Sequence, residues 1–211
     1  MRRSPVSPDI RPDFRNNRFL QALAVVYAGV WIWAAIKPLY RFDWFLENLL
    51  TVVAAVVLVA TYRRFPLSNL SYLLIFAFMV LHAIGAHYTY SEVPVGFTVQ
   101  DSLDFARNHY DRLVHFSFGL LLAYPVREVL TRTVTDNAVA ATLLTLAVVF
   151  SSSASFEIIE WIIALVVNPE AGAAYLGTQG DEFDAQKDMA LAALGAVIAL
   201  SAVAAAGLSK R

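Results

Sequence analysis

Cysteine is absent from this chain of 211 residues, and charged residues are scarce. Without cysteine the protein can form neither a disulfide nor a metal site with thiolate ligands. Charged residues make up 16% of the sequence, whereas a typical soluble domain contains about 25%. The formal net charge of −1 gives no electrostatic basis for a nucleic-acid partner. A chain with so little charge and 58% hydrophobic residues is expected to lie in a lipid bilayer.

Long hydrophobic runs account for most of the sequence. A helix needs roughly 20 apolar residues to cross a hydrocarbon core of about 30 Å, and six segments meet that requirement. They lie at residues 19–36, 44–62, 69–87, 110–131, 138–167 and 187–208. The predicted fold class is therefore an all-α integral membrane protein, a six-helix transmembrane bundle. Gly119, Ala123 and Gly195 are small enough to allow close contact between its helices.

The sequence indicates a single transmembrane domain over residues 18–211. Residues 1–17 contain three prolines and are expected to form an irregular cytoplasmic arm. The hydrophobic run that follows is too long for a signal-peptide core, so we interpret it as an uncleaved first helix. Outer loops are expected near residues 88–109 and 168–186. Within the first of them, residues 101–112 are predicted to form a helix that leads into the fourth span.

The distribution of lysine and arginine predicts the orientation in the membrane. With the amino terminus in the cytoplasm, eleven of the sixteen basic residues fall in cytoplasmic segments. Because basic residues are enriched in cytoplasmic segments, the amino and carboxyl termini are both expected on that side. The protein is thus expected to be a multi-pass protein of the bacterial cytoplasmic (inner) membrane, with its longer loops on the periplasmic face.

Histidines and acidic residues cluster near that outer face. All four histidines lie within 34 residues of one another, and polar residues recur at steps of three and four from Asp101 onward. Such steps place side chains on one face of a helix. The members of this series are Asp101, Asp104, Asn108, Asp111 and His115. Further acids lie where other spans approach the outer face: Asp43, Glu47, Glu157, Glu160, Asp181, Asp184 and Asp188.

Ionisable residues from five of the six predicted helices therefore meet in the outer third of the bundle. A buried carboxylate is unfavourable unless it is paired, protonated or bound to a cation, so such residues suggest a functional site. Imidazole and carboxylate ligands without sulfur suit Zn²⁺, Mn²⁺ or Fe²⁺. The predicted metal ligands are His82, Asp111, His115, Glu157, Asp184 and Asp188. Glu157 and Glu160 are the catalytic candidates, with Glu160 as a base or bridging ligand.

The leading hypothesis is a divalent-metal site that binds or acts on a cell-envelope lipid or its head group. The predicted substrate contacts are Arg112, Tyr88 and Asn108. The planar guanidinium of Arg112 suits a phosphate or carboxylate, whereas Tyr88 also fits an aromatic belt at the membrane interface. The sequence leaves open whether His87, His109, Asp104 and Asp181 belong to the site.

Other functions fit the same residues. Asp111 could favour a helix start electrostatically, and Glu157 and Glu160 could face interfacial water beside Trp161. Acids inside a bundle also suit a carrier or channel for protons or divalent cations. A third alternative is a non-catalytic membrane partner protein held together by interhelical hydrogen bonds, although such bonds contribute well under ~1 kcal/mol each on average. Because no zinc-protease or phosphatase signature is present, the sequence does not decide between a metal-dependent hydrolase or transferase and a non-enzyme, nor does it determine the oligomeric state.

Several separated motifs resemble the YjdF-like family of bacterial inner-membrane proteins. They are HYTYSEVP at 87–94, RNHYDRLVHF at 107–116, FEIIEW at 156–161 and GTQGDEFDAQKDM at 177–189. A looser similarity extends to VanZ-like membrane proteins, in which an acidic–basic pair and a histidine open one helix and a glutamate lies in the next. Asp111-Arg112, His115 and Glu157 match that pattern, while Glu160 departs from it because glutamine is usual there. The VanZ-like resemblance implies a link to cell-envelope chemistry or glycopeptide tolerance.

Overall fold

A computed structural model describes residues 14–167 and 169–207 of the chain. A 3-10 turn at Phe14–Asn16 comes first. Over the described residues the chain then forms α1 (Arg18–Ala35), α2 (Arg41–Tyr62), α3 (Asn69–Tyr88), α4 (Pro94–Leu103), α5 (Tyr110–Thr133), α6 (Ala138–Val166), α7 (Pro169–Leu176) and α8 (Asp184–Ala205). No β-strand occurs in these two ranges. Residues 1–13 of the expected arm and residue 208 of the last predicted span lie outside the described residues.

Six of these helices have the length and apolar composition needed to cross a membrane: α1, α2, α3, α5, α6 and α8. The prediction of an all-α protein with six spans is therefore confirmed. Two helices begin a few residues before the predicted apolar spans, because charged residues form their first turns. α2 begins at Arg41 rather than at residue 44, and α8 begins at Asp184 rather than at residue 187. As a result, Asp43 and Asp184 lie inside helices.

Hydrogen bonds between helices show which ends of the helices lie together. The Nδ1 atom of His87, near the end of α3, lies 2.9 Å from the carbonyl oxygen of Ala34 in α1. Asn17, just before α1, donates from Nδ2 to Oδ1 of Asn69 in α3 at 2.9 Å. We call the end at which α1, α3 and α6 finish and α2, α5 and α8 begin the acidic end. The opposite end, which carries Arg63, Arg64, Arg127 and Arg132, is the arginine end.

The tightest packing in the bundle is between α5 and α8. A Cβ atom added to Gly119 would overlap the backbone of Ala192, and one added to Gly195 would overlap the backbone of Phe116. The two helix backbones are therefore in direct contact, and Ala123 is fully buried in the adjoining apolar core. The predicted role of these three small residues in helix packing is confirmed. This contact sets the relative positions of the beginnings of α5 and α8, which carry Asp111, Asp184 and Asp188.

The predicted helix at residues 101–112 is wrong. α4 ends at Leu103, and Asp104 adopts a left-handed conformation with φ of 53°. The chain then crosses to α5 without helical structure, and Asn108 Oδ1 accepts a hydrogen bond from the Tyr110 N–H at 3.0 Å. Aspartate and asparagine favour such conformations because their short side chains bond to the nearby backbone. The series that begins at Asp101 therefore does not lie on one helix, and Asp101 and Asp104 are exposed on α4 and its cap.

Candidate functional site

Three side chains from α5 and α8 form the candidate metal group, which consists of Asp111, His115 and Asp188. One potential ligand atom from each of them lies within 4.8 Å of the others. Asp111 and His115 are one turn apart on α5, and their Oδ1 and Nε2 atoms are 3.6 Å apart. Asp188 is one turn inside α8 and is 2% exposed. Because Asp111 and His115 are four residues apart on α5, both side chains lie on the same face of the helix and close to Asp188.

Glu157 of α6 approaches the same nitrogen of His115. Its Oε1 atom lies 3.5 Å from Nε2 of His115, and its side chain is 11% exposed. Both Glu157 Oε1 and Asp188 Oδ1 are buried and have no hydrogen-bond partner among the described residues. Leaving a buried carboxylate oxygen uncompensated is unfavourable by several kcal/mol. The imidazole of His115 and the carboxylates of Asp111 and Asp188 suit a divalent cation of the kind that prefers nitrogen and oxygen ligands, and Glu157 lies outside this group of three.

A second polar cluster, which we call the Glu47 cluster, consists of Glu47, His82 and Tyr90. The Tyr90 hydroxyl lies 2.7 Å from Nδ1 of His82 and 3.3 Å from Oε2 of Glu47. Nε2 of His82 lies 3.3 Å from the Glu47 carbonyl oxygen. Burial, together with the charges of Glu47 and Asp111, raises the pKa of Tyr90, so its hydroxyl stays protonated and can donate.

The structure does not bring His82 into the candidate metal group. Both of its ring nitrogens have hydrogen-bond partners within the Glu47 cluster, so metal ligation would require breaking one of those bonds. The sequence places Glu47 among the acids near the outer face, but no sequence pattern links it to Tyr90. The only sequence signal for the contact between His82 and Tyr90 is that they are eight residues apart. The chain reverses its direction after α3, and this reversal brings the two side chains together.

Arginines compensate two further acids of the acidic end, Asp181 and Asp184. Asp184 is bound by Arg107 and by Nη2 of Arg112 at 3.2 Å. Asp181 is bound by Arg112 and by Nζ of Lys187 at 2.5 Å. Asp184, a predicted metal ligand, thus has two guanidinium partners and lies outside the candidate metal group. Arg112, a predicted substrate contact, holds two carboxylates of the α7–α8 segment.

Sequence reasoning missed Arg107. Its side chain is 7% exposed, and it donates from Nη1 to the Thr178 carbonyl oxygen at 3.0 Å in addition to binding Asp184. An arginine in a polar loop normally remains solvated, so nothing in the local sequence indicates that this one is buried. Its burial depends on the segment before α8 folding over the segment before α5.

Asn108 and Tyr88, the other predicted substrate contacts, bond to or pack against the protein itself. Asn108 is fully buried; its Nδ2 donates to the Val93 carbonyl oxygen at 3.0 Å, and its backbone N–H donates to Gln179 Oε1 at 3.0 Å. Tyr88 packs edge-on against His87, with ring centroids 4.5 Å apart. Asn108 therefore joins the two loops of the acidic end, while Tyr88 belongs to an aromatic group at the end of α3.

Two histidines and an aspartate left open by the sequence also lie apart from the candidate metal group. His87 stacks on Trp33 with ring centroids 4.7 Å apart. His109 precedes α5 and packs against Phe105; burial, Arg112 and Arg107 lower its pKa, so it stays neutral near pH 7. Asp104 is exposed.

A cavity of 690 Å³ connects the two clusters. Asp111 and His115 line it from α5, Glu160 lines it from α6, and His82 and Tyr90 line it from the opposite wall. Glu160 interacts electrostatically with Glu47, Glu157 and Asp111. The rest of the cavity wall is mostly apolar. The polar groups therefore lie at one end of an apolar cavity, as in many small-molecule sites.

Comparison with known proteins places the chain in a family. The family described as "Predicted membrane protein (DUF2238)" matches residues 19–209. The inner membrane protein YjdF of Escherichia coli (strain K12) is 38% identical over 179 residues, which cover 84% of this chain and 85% of the relative. No solved structure matches. The chain therefore belongs to this family, and the predicted YjdF-like resemblance and inner-membrane location are confirmed.

Proposed function

We propose that this inner-membrane protein binds a divalent metal ion at the candidate metal group, with Glu157 as a further ligand, and acts on the head group of a cell-envelope lipid. The observation that carries this proposal is the pair of buried, unpartnered oxygens, Asp188 Oδ1 and Glu157 Oε1, beside His115. A divalent cation would compensate both charges. Histidine and carboxylate side chains are common ligands in catalytic metal sites.

Glu160 is the proposed general base. A divalent cation polarises a phosphoryl or acyl oxygen and makes a bound water easier to deprotonate. Glu160 lines the same cavity as Asp111 and His115, so its carboxylate can accept a proton from the attacking water or hydroxyl group. The two glutamates of α6 therefore have different proposed roles: Glu157 binds the metal, and Glu160 accepts the proton. This chemistry corresponds to a hydrolase or transferase.

The orientation that we propose places the acidic end on the periplasmic side and both termini in the cytoplasm. Eleven of the sixteen basic residues then lie in cytoplasmic segments, in agreement with the positive-inside rule. A lipid in the outer leaflet of the inner membrane could present its head group to the site without crossing the bilayer.

A carrier or channel for protons or cations is less well supported. An ion path would need polar groups between the acidic end and the arginine end. Between the acids and the arginine end, Ser151, Ser152, Ser153 and Ser155 of α6 line the cavity. The rest of the wall in that direction consists of apolar side chains such as Ile75, Leu122 and Val126. That wall suits hydrocarbon rather than an ion.

The proposal is tested by the metal content of the purified protein. Detergent-purified wild type, loaded with Zn²⁺, Mn²⁺ or Fe²⁺ and dialysed, is expected to retain about one metal ion per chain by inductively coupled plasma mass spectrometry. The double variant His115→Gln, Asp188→Asn is expected to lose it, and Asp101→Asn, an exposed aspartate on α4, serves as the matched control. Thermal unfolding of the wild type with and without metal adds a readout that needs no variant, since bound metal raises the unfolding temperature.

The variant Glu160→Gln separates binding from chemistry. We expect it to retain the metal and to lose hydrolysis of a polyprenyl diphosphate or phospholipid head group by about 100-fold or more, whereas Glu157→Gln is expected to lose metal. A wild type that retains none of the three metals and shows no metal-dependent stabilisation would overturn the proposal.

A further inference from the structure

The cavity extends much farther than a head-group site requires. It touches Asp111 in the first turn of α5 and Val129 near the end of the same helix. At a rise of 1.5 Å per residue, these positions are about 27 Å apart. A bilayer has a hydrocarbon core of about 30 Å. The cavity therefore runs through most of the membrane and continues well past the bilayer midplane.

Away from the acids, the cavity wall is apolar on α2, α3 and α5, whereas α6 contributes Ser151, Ser152, Ser153 and Ser155. The side chains on α2, α3 and α5 in this part are Ala54, Leu58, Ile75, Met79, Leu122 and Val126. The walls formed by α2, α3 and α5 offer no partner to a polar group. A hydrocarbon chain therefore fits against these three helices.

The cavity opens sideways between α2 and α6. Leu50 and Val57 on α2 and Ile159 on α6 line the cavity, and they are also 47%, 53% and 43% exposed on the surface of the bundle. α2 packs mainly on α3, whereas α6 packs mainly on α5 and α8. A hydrocarbon chain could therefore enter from the bilayer through this opening without passing through water.

We infer that the cavity binds the single long chain of a polyprenyl phosphate-type lipid, with the phosphate head at the candidate metal group. This inference rests on the proposed function for the head and on the cavity for the chain. An ordinary phospholipid has acyl chains that end near the midplane, about 15 Å from the interface, and would leave the deeper half of the cavity empty. A chain longer than one leaflet fills it.

Tryptophan substitutions that shorten the cavity test this inference. Ala54 lies seven residues beyond Glu47 on α2, about 10 Å deeper, and lines the cavity. Its neighbour Ala55 is exposed on the outside of the same helix. We expect Ala54→Trp to weaken binding of a long polyprenyl phosphate by about tenfold or more, as measured by native mass spectrometry on Zn²⁺-loaded protein. Ala55→Trp is the matched control and is expected to bind like the wild type, and octyl phosphate is expected to bind all three proteins equally.

A substitution deeper in the cavity tests how long a chain the cavity can hold. Val126 lies about 22 Å from Asp111 along α5, so Val126→Trp is expected to allow hexadecyl phosphate and to reject the long polyprenyl phosphate. Equal binding of every chain length by wild type and both cavity variants would overturn the inference, even if the metal is present.

The metal proposal and the inference about the hydrocarbon chain can be tested independently of each other. If no protein holds a metal, the uncharged alcohol polyprenol replaces the phosphate, because its head needs no cation. If Ala54→Trp weakens the binding of polyprenol and Ala55→Trp does not, the cavity binds the hydrocarbon chain, and only the metal proposal is overturned. If neither substitution affects polyprenol binding, the inference that the cavity binds the hydrocarbon chain is overturned as well.

Discussion

Individual carboxylates at the acidic end differ in how their charge is compensated. Asp181 and Asp184 are bound by arginine or lysine side chains. Glu157 and Asp188 each have a buried oxygen without a hydrogen-bond partner in the described part of the chain. The first pair stabilises the fold of the loops, whereas the second pair is the part of the cluster that a bound cation would complete.

Tyr90 is expected to stabilise the Glu47 cluster through its hydroxyl. Tyr90→Phe removes the partner of His82 Nδ1 and leaves that buried nitrogen unsatisfied. We expect the free energy of unfolding to fall by about 1–2 kcal/mol, measured by thermal or denaturant unfolding in detergent. Tyr88→Phe is the control because no hydrogen bond from the Tyr88 hydroxyl to the described residues is present, and it is expected to unfold like the wild type. Equal stabilities of the two variants would contradict this role for Tyr90.

Asp181 is expected to make stability depend on pH in the acid range. The Lys187 ammonium, followed by the Phe183 N–H and Arg112, lowers the pKa of Asp181 below its ordinary value of 3.8. A carboxylate with a lower pKa in the folded state stabilises the protein above its unfolded-state pKa and loses that contribution as pH falls. Asp181→Asn should therefore lower the unfolding temperature at about pH 6, and the difference from wild type should shrink below about pH 4.

A constant difference between wild type and Asp181→Asn across that pH range would rule out a titrating contribution from this residue. Asp101→Asn on the exposed face of α4 provides a comparison, because Asp101 has no ion pair among the described residues.

The roles of single residues were partly predictable. The spacing of Asp111 and His115 in the sequence alone indicates a shared helix face, because helical geometry repeats every 3.6 residues. The burial of Arg107 and the link from Tyr90 to Glu47 were not predictable in this way. Both depend on loops that bring residues of separate helices together, and such contacts leave no local periodic signal.

At the scale of helices, the contact between α5 and α8 determines the geometry of the candidate metal group, since Asp111 and His115 belong to one helix and Asp188 to the other. The backbones touch because Gly119 and Gly195 have no side chains. In a membrane, close packing of this kind is a main source of helix association. A change in the distance between these helices would change the distances among the three potential ligands.

Gly119→Ala is expected to separate the two helices. The added Cβ would meet the carbonyl oxygen of Ala192, which cannot move without shifting α8. We expect a loss of about 1–3 kcal/mol in stability together with weaker metal retention, measured by thermal unfolding and metal analysis. Gly29→Ala in α1 is the matched control, since nothing lies within 4 Å of its added Cβ, and its stability should be unchanged or slightly higher. A stable Gly119→Ala variant with normal metal content would contradict the role assigned to this contact.

The segment between α3 and α5 shows where helix prediction fails. Residues 101–112 have the polar spacing of a helix, yet the chain leaves the helical conformation at Asp104. Asp104 and Asn108 favour turns as well as helix ends, and the bonds of Asn108 to Val93 and Gln179 stabilise the turn. Spacing alone does not distinguish these alternatives because the deciding partners are distant in sequence.

For the whole molecule, the orientation in the membrane can be tested with cysteine labelling. The chain has no cysteine, so a single introduced cysteine reports one position. Asp101 at the acidic end and Asp136 at the arginine end are both exposed. We expect Asp101→Cys to react with a membrane-impermeant maleimide in spheroplasts and Asp136→Cys to react only after the membrane is permeabilised. The reverse pattern would place the acidic end in the cytoplasm and remove the proposed access from the outer leaflet.

The sequence by itself determined the class of this protein and the depth of its polar residues. Hydrophobic runs long enough to cross a bilayer specify six helices, since a backbone in hydrocarbon must satisfy its own hydrogen bonds. The alternation of spans then places the acids of α2, α5, α6 and α8 at one end. Only the tertiary structure decided which acids are compensated by arginine, which remain without a partner, and how far the apolar cavity extends. Those outcomes depend on the distances between packed helices and on two loops that fold over each other, and side-chain spacing within a single helix does not contain that information.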